Sequence, residues 1–352
     1  MHESILYKKL DSNKVVCTAC KHKCVIGPDN TGICGVRQNK NGKLYLLVYG
    51  KAASFNIDPI EKKPLYHFLP GTKVFSLGTV GCNFACSFCQ NWDISQASKE
   101  LKLKLLKEKK PEIMGVEVSK YGYDLSPEKI VDICVKGKIP SIAYTYNEPI
   151  IFFEYLYDTS KLAHKKNIKN VFVSNGYESD DALELMKPYL NGINIDLKSF
   201  SDEFYRKICR AELKHVLETI KKVYELGIWL EITTLVIPGK NDSDSELRKI
   251  ADFISGIDKN IPWHVSAFHP DYRMTDAEIT RHTTLHKAVK IGRKSGLKYV
   301  YAGNIVDEDN ESTRCPECKA VLIRRRGYLV EIENLKNGKC IKCNEEIAGV
   351  WR

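Results

Sequence analysis

Seven short runs rich in apolar, β-branched and aromatic residues recur along the middle of the chain: KVFSLG (73–78), SIAYTY (141–146), NVFVS (170–174), GINIDL (192–197), WLEITTLVI (229–237), WHVSAF (263–268) and KYVYAG (298–303). Stretches of helical period separate them. Continuous apolar strands alternating with helices point to parallel strands covered by helices, hence to βα repeats. Helix starts agree. Ser126 before Pro127 has the form of an N-cap followed by proline at the first helical position, and Asp242 to Asp244, after Pro238-Gly239, open SELRKIADFI. Six or seven such units favour a partial or full (β/α) barrel over an open doubly wound sheet, and in a barrel the functional side chains stand where strands end.

The second constraint is cysteine placement. Of thirteen cysteines in 352 residues, eleven fall into three groups: Cys17, Cys20, Cys24 and Cys34; Cys82, Cys86 and Cys89; and Cys315, Cys318, Cys340 and Cys343. Cys134 and Cys209 stand alone and read as ordinary buried thiols. The opening MHESILYKKLDSNK lacks the apolar core of a secretory signal, and no apolar run reaches the length of a membrane span, so a cytoplasmic location is expected. In a reducing compartment, spacings of two and three residues indicate metal ligation rather than disulfides. The groups divide the chain into an N-terminal four-cysteine module (1–48), a (β/α) barrel (49–310) and a C-terminal four-cysteine module (311–352).

The two outer groups have four thiolates each and make closed sites. Cys315-x2-Cys318 and Cys340-x2-Cys343 have the spacing of a zinc ribbon, whose metal supplies folding energy that a forty-residue module lacks. A single iron would use the same ligands. The N-terminal group suits zinc or an iron-sulfur cluster, and His22 in its loop reads as a surface residue or a substitute ligand. The middle group is different. Cys82-x3-Cys86-x2-Cys89 follows the first strand directly and offers three thiolates, which on a [4Fe-4S] cube leave one iron without a protein ligand. A zinc site with a remote fourth ligand and three incidental cysteines are the competing readings.

With Phe88 before its last cysteine, this loop resembles the signature of the radical S-adenosylmethionine (SAM) superfamily. The resemblance implies a partial (β/α)6-type barrel in which the open iron is chelated by the methionine moiety of SAM and Phe88 lies against adenine. It extends to the strand ends. Tyr146-Asn147-Glu148-Pro149 takes the place of the family's Gly-Gly-Glu-Pro, which implies ammonium contacts from Glu148 and Asn147; Ser174-Asn175-Gly176 and Asp196-Leu197-Lys198 are similar to segments of glycyl radical enzyme activases, with Lys198 facing the methionine carboxylate and Asp196 ordering that end. His269, in HPDYR after the sixth strand, would face the barrel mouth and bind substrate or donate a proton; a packed histidine is the alternative.

Together, CGVRQN (34–39), the block 49–95, YTYNEP, SNGY, IDLKSF and AFHPDYRM (267–274) resemble the radical SAM member of the AmmeMemoRadiSam system, also described as pyruvate formate-lyase activating enzyme-like. The resemblance implies reductive cleavage of SAM to methionine and a 5′-deoxyadenosyl radical, then hydrogen abstraction from a small molecule or peptide. The alternative substrate is a protein glycine, as for an activase. AMMECR1-like and Memo-like proteins are the implied partners. The net charge of +10 suits an acidic electron donor such as flavodoxin or ferredoxin, although the lysine-rich KELKLKLLKEKK (99–110) reads by itself as a solvated helix face or mobile insertion. A zinc-ribbon nucleic-acid-binding protein is the non-enzymatic reading, and it has no use for a three-cysteine loop. Arg326-Gly327-Tyr328 has the look of a glycyl-radical sequence but sits in a short ribbon hairpin.

Overall fold

Each of the seven apolar runs forms a strand, with ends within two residues of the expected ones. The computed structural model describes residues 1–352, which divide into two units: 1–58 with 74–191, and 59–73 with 192–352. The fold is mixed α/β, as the alternation of runs and helical stretches requires. No helix is long and apolar enough to cross a membrane.

In the first unit, strands β1 (Ser54–Pro59), β2 (Lys73–Gly78), β3 (Ser141–Tyr144) and β4 (Lys169–Ser174) lie side by side in that order. β2, β3 and β4 are parallel and in register, so that Ser76, Ala143 and Val171 stand abreast. β1 escaped the sequence reading because residues 55–57 are exposed and carry no continuous apolar run. The longer helices that accompany these strands are α1 (Ala97–Lys107), α2 (Pro127–Gly137), α3 (Phe153–Lys165) and α4 (Asp180–Met186). Ser126 caps α2 as expected, accepting from the Lys129 amide at 3.3 Å. α3 buries Phe153, Leu156, Ser160 and Ala163, the spacing of one helical face. The lysine-rich stretch is therefore largely helix, not an insertion without structure.

The N-terminal residues join this unit through one buried ion pair. The Arg37 guanidinium grips Glu154 of α3 at 2.7 and 3.2 Å, also donates to the Ile151 carbonyl at 3.0 Å, and both side chains are 2% exposed. A forked pair of this kind satisfies two charges that water does not reach.

In the second unit, β5 (Leu190–Asp196), β6 (Trp229–Val236), β7 (Trp263–Ala267) and β8 (Val300–Gly303) are parallel neighbours, with Asp196, Thr233, His264 and Tyr301 abreast. Helices α5 (Leu213–Glu225), α6 (Asp244–Ile257) and α7 (His282–Lys294) belong to it. Ser243, rather than a neighbouring aspartate, caps α6, accepting from Glu246 N at 3.2 Å. Buried Glu231 accepts from the amides of Tyr66 and His67, from Trp229 Nε1 and from His264 Nε2. Fully buried Arg325, on the strand Val321–Arg326, donates to the Tyr66 carbonyl at 2.7 Å and lies over the Tyr66 ring. The C-terminal ribbon is thereby anchored in its unit rather than appended to it.

Removing one partner of a buried ion pair leaves the other charge without compensation. Arg37→Met is expected to lower unfolding stability by about 3–5 kcal/mol, and Arg37→Met with Glu154→Leu to recover a large part of it. Urea titration of the single and double variants checks this.

Candidate metal and cofactor site

The loop leaving β2 brings its three cysteines to the end of the first unit's strands. Cys82 and Cys86 are buried, and Cys89 is half-buried. The Phe84 amide points at Cys82 Sγ at 3.4 Å, and the Ser95 hydroxyl meets Cys89 Sγ at 3.1 Å. Donors aimed at sulfur stabilise thiolates and tune a cluster bound to them. Gly81 (φ +101°) lets the chain turn into the loop: a Cβ there would meet the Cys34 carbonyl oxygen at 2.8 Å. Burial pushes the Cys82 thiol well up, with Lys99 pulling the other way, so without metal it keeps its proton at neutral pH. Metal uptake must release that proton.

The strand-end residues converge behind this loop. Asn147 Nδ2 donates to Gly81 O at 2.7 Å and to Thr79 Oγ1 at 3.2 Å, while its Oδ1 accepts from Thr79 N. Its amide thus braces the cysteine loop. Glu148 accepts from the amides of Ile150 and Asn175 and from the Ser174 hydroxyl, tying the end of β3 to the end of β4. Asn175 Nδ2 reaches Asn83 Oδ1 at 2.8 Å and approaches Cys82 Sγ at 3.9 Å. Phe88 is buried in the same loop.

Two features suit the group that such residues would hold. Asn175 Oδ1 and Asn83 Nδ2 are buried and have no hydrogen-bond partner, although they lie beside Cys82. Glu148 and Glu178 are both fully buried. Burial first, and for Glu148 then the Glu178 charge, pushes their carboxyls up. Lys21 acts on Glu178 but itself pairs with Asp180 at 2.7 Å. A further cation here, such as the ammonium or sulfonium of SAM, would relieve that unfavourable concentration of negative charge. The residues fit a SAM-binding iron-sulfur centre.

The first cysteine group lies against this loop. Lys21 N donates to Tyr177 O and Ser179 N to Ala19 O, so the segment around Cys20 pairs with the chain leaving β4. The expectation of a surface position for His22 needs correcting: it is half-buried, its ring packs on Tyr177 at 4.7 Å, and its Nε2 lies 3.1 Å from Asn83 O. Sequence spacing gave no sign of this, because Tyr177 and Asn83 are far away along the chain. Burial pushes the Cys17 thiol up to about 11.

In the second unit, the sulfurs of Cys315, Cys318, Cys340 and Cys343 lie within 4.8 Å of one another. Two of the separations are 3.5 and 3.6 Å, close to the roughly 3.8 Å edge of a tetrahedron with zinc–sulfur bonds of about 2.3 Å. Each knuckle ends in a left-handed residue directly after its second cysteine, Lys319 (φ 62°) and Asn344 (φ 66°). Lys198 Nζ pairs with Asp196 Oδ2 at 2.7 Å. His269 is exposed past the end of β7. Gly327 sits in an open turn with Tyr328 58% exposed, which gives a glycyl radical no shielding. Cys134 and Cys209 are buried, as expected.

The Radical SAM superfamily pattern matches residues 76–254, from the middle of β2 into α6. The chain belongs to the radical SAM superfamily. It is 42% identical over 350 residues, 99% of each chain, to an uncharacterized protein of Methanocaldococcus jannaschii, MJ0808. It is 24% identical over 216 residues to a pyruvate formate-lyase-activating enzyme of Clostridium pasteurianum, covering 56% of this chain and 81% of that one. A solved domain of pyruvate-formate lyase-activating enzyme from Bacteroides vulgatus covers 46% of this chain and 98% of its own, at 17% identity and a TM-score of 0.42. Superfamily membership makes the chain an enzyme and implies a [4Fe-4S] cluster and SAM.

The carboxylate pair gives a pH signature. A carboxyl raised in the folded state contributes stability that is full below the ordinary carboxylate range, about 4.5, and lost as pH rises through the raised value. Metal-free protein should therefore lose stability above about pH 4.5, and Glu178→Gln should flatten that decline by a few degrees in Tm. Thermal melts of both proteins from pH 4.5 to 8.5 test it.

Proposed function

We propose that this protein holds a [4Fe-4S] cluster on Cys82, Cys86 and Cys89 and performs SAM-dependent hydrogen abstraction on a small-molecule or peptide substrate. The observation that carries the reading is the three-cysteine loop inside the superfamily match, with unpartnered Asn175 Oδ1 and Asn83 Nδ2 at its back. A reduced [4Fe-4S] cluster held on Cys82, Cys86 and Cys89 would supply the one electron that splits SAM into methionine and a 5′-deoxyadenosyl radical, the species that would take hydrogen from an unreactive carbon. The chain's own residues position and protect. Asn147 fixes the entry to the loop, Glu148 with Ser174 fixes the strand ends, and the Glu148–Glu178 pair favours the cationic end of the cofactor. Phe88, buried within the loop, is assigned to adenine and Lys198, held by Asp196, to the methionine carboxylate. His269 is assigned to the substrate side.

Likeness to pyruvate formate-lyase-activating enzymes supports a second reading, in which the hydrogen comes from a glycine of a protein partner. Tyr146 and Asn147, where activases carry two glycines, favour the first. Membership of the AmmeMemoRadiSam system, with AMMECR1-like and Memo-like partners, is the finer form of the first reading. Zinc at the C-terminal cysteines is supported by their sulfur spacing, and the N-terminal group is assigned to zinc or a second cluster.

Anaerobically reconstituted, reduced protein should convert SAM to 5′-deoxyadenosine, and Cys86→Ala should lower the rate at least a hundredfold with loss of the cluster's electron paramagnetic resonance signal. Undiminished turnover in that variant sinks the reading. Cys318→Ser with Cys343→Ser should remove one equivalent of zinc and leave iron unchanged, as read by elemental analysis; unchanged zinc refutes the ribbon assignment.

A further inference from the structure

An electron has to reach the cluster loop from outside, and the loop itself comes to the surface immediately after its last ligand. Cys89 is half-buried, and Gln90, Asn91, Trp92 and Asp93 are exposed. The chain then passes through a single helical turn, Trp92–Ser95, into α1, and both this turn and the start of α1 are fastened back onto the loop. Gly81 N donates to Ile94 O at 2.9 Å and Gln96 Nε2 to Phe84 O at 3.3 Å. The Lys99 ammonium donates to Phe84 O, and the Ser98 hydroxyl to Cys34 O at 2.8 Å. α1 is therefore mechanically continuous with the loop that carries the three cysteines.

The outward face of this helix is basic and partly apolar. Ser98 and Leu105 are buried, whereas Lys104 and Lys107, with Lys109 and Lys110 just beyond the helix end, are all exposed. None of these four lysines takes part in an ion pair, unlike Lys43, Lys51 and Lys120 elsewhere in the same unit. From Trp92 to Lys110 there are six lysines against three acidic residues. Leu103 and Leu106 are 59% and 41% exposed among the lysines. Lysines left without counter-charges around exposed leucines match an interface with a charged rim and a small apolar centre.

Resting on the function proposed above, we infer that the outward face of α1 through Lys110 is the docking surface for a small acidic one-electron carrier protein. The reduced carrier gives up one electron and the cluster gains one, with no bond made or broken. Electron transfer weakens steeply with distance, and this face is joined by hydrogen bonds to the loop that carries the cluster ligands. A phosphate backbone would also be drawn to the lysines, but the exposed leucines favour a protein surface.

The test uses the full chain with its cluster reconstituted, mixed anaerobically with flavodoxin hydroquinone. Lys104→Glu/Lys107→Glu/Lys110→Glu is expected to slow cluster reduction by flavodoxin about tenfold or more at low salt, with reduction by dithionite unchanged. Wild-type reduction by flavodoxin should fall steeply with added salt, and the variant's only slightly. The neutral Lys104→Gln/Lys107→Gln variant should show a smaller loss in the same direction. Equal flavodoxin rates in wild type and the triple variant overturn the inference. So does salt-sensitive binding of a single-stranded oligonucleotide that the triple variant loses while its flavodoxin rate stays intact. If dithionite produces no reduced-cluster signal even in the wild type, the functional reading itself fails and takes this inference with it, which separates the two failures.

Discussion

Glu148 carries the first unit's arrangement. Its carboxylate has no contact with water, yet it collects an amide from its own turn, and an amide and a hydroxyl from the end of β4. A buried carboxyl that receives several such donors is held in one position, because each lost bond leaves a buried polar oxygen unsatisfied. Asn175 is fixed by the same contact, and through its side chain so is Asn83 beside Cys82. The strand ends and the cysteine loop are thus parts of one hydrogen-bonded unit, and a ligand placed on the loop meets preset neighbours.

The three cysteine groups differ in what surrounds them. At the C-terminal group the four sulfurs have closed to the spacing of a single metal ion. At the middle group there are only three thiols, and the remaining polar capacity comes from amides and buried carboxylates. The N-terminal group is close to the middle one through Cys34 and Gly81 and through His22 and Asn83. A metal in the N-terminal site would stiffen the wall against which the radical SAM loop packs. In the second unit, Arg325 and Glu231 act at long range along the chain, joining the ribbon, the segment 64–67 and β6 around buried charge. Buried charge held by several hydrogen bonds specifies an arrangement more sharply than apolar contact, which tolerates sliding.

Much of this was legible in the sequence, for local reasons. Strands declare themselves by continuous apolar runs, the Ser126 cap by its proline, and the three cysteine groups by their close spacing. The exposed edge strand β1 was not legible, since its residues alternate irregularly and bury little. Glu178 and Lys99 were missed because nothing in their immediate neighbours distinguishes them from surface residues, and Asn83 and Glu231, although inside the cysteine loop and an apolar run, were missed because their partners are distant in the chain. His22 was misread for the same reason.

By itself, then, the sequence determined the class of fold, the three cysteine groups and the superfamily chemistry that the three-cysteine loop implies, because each depends on residues close together in the chain. Tertiary structure alone decided that Glu148 is shared between two strand ends, that Glu178 lies buried near it, and that a lysine-rich helix is fastened to the three-cysteine loop. Those facts depend on which distant groups share a region without water, and the free energy of a charge is set by that surrounding rather than by its neighbours in sequence.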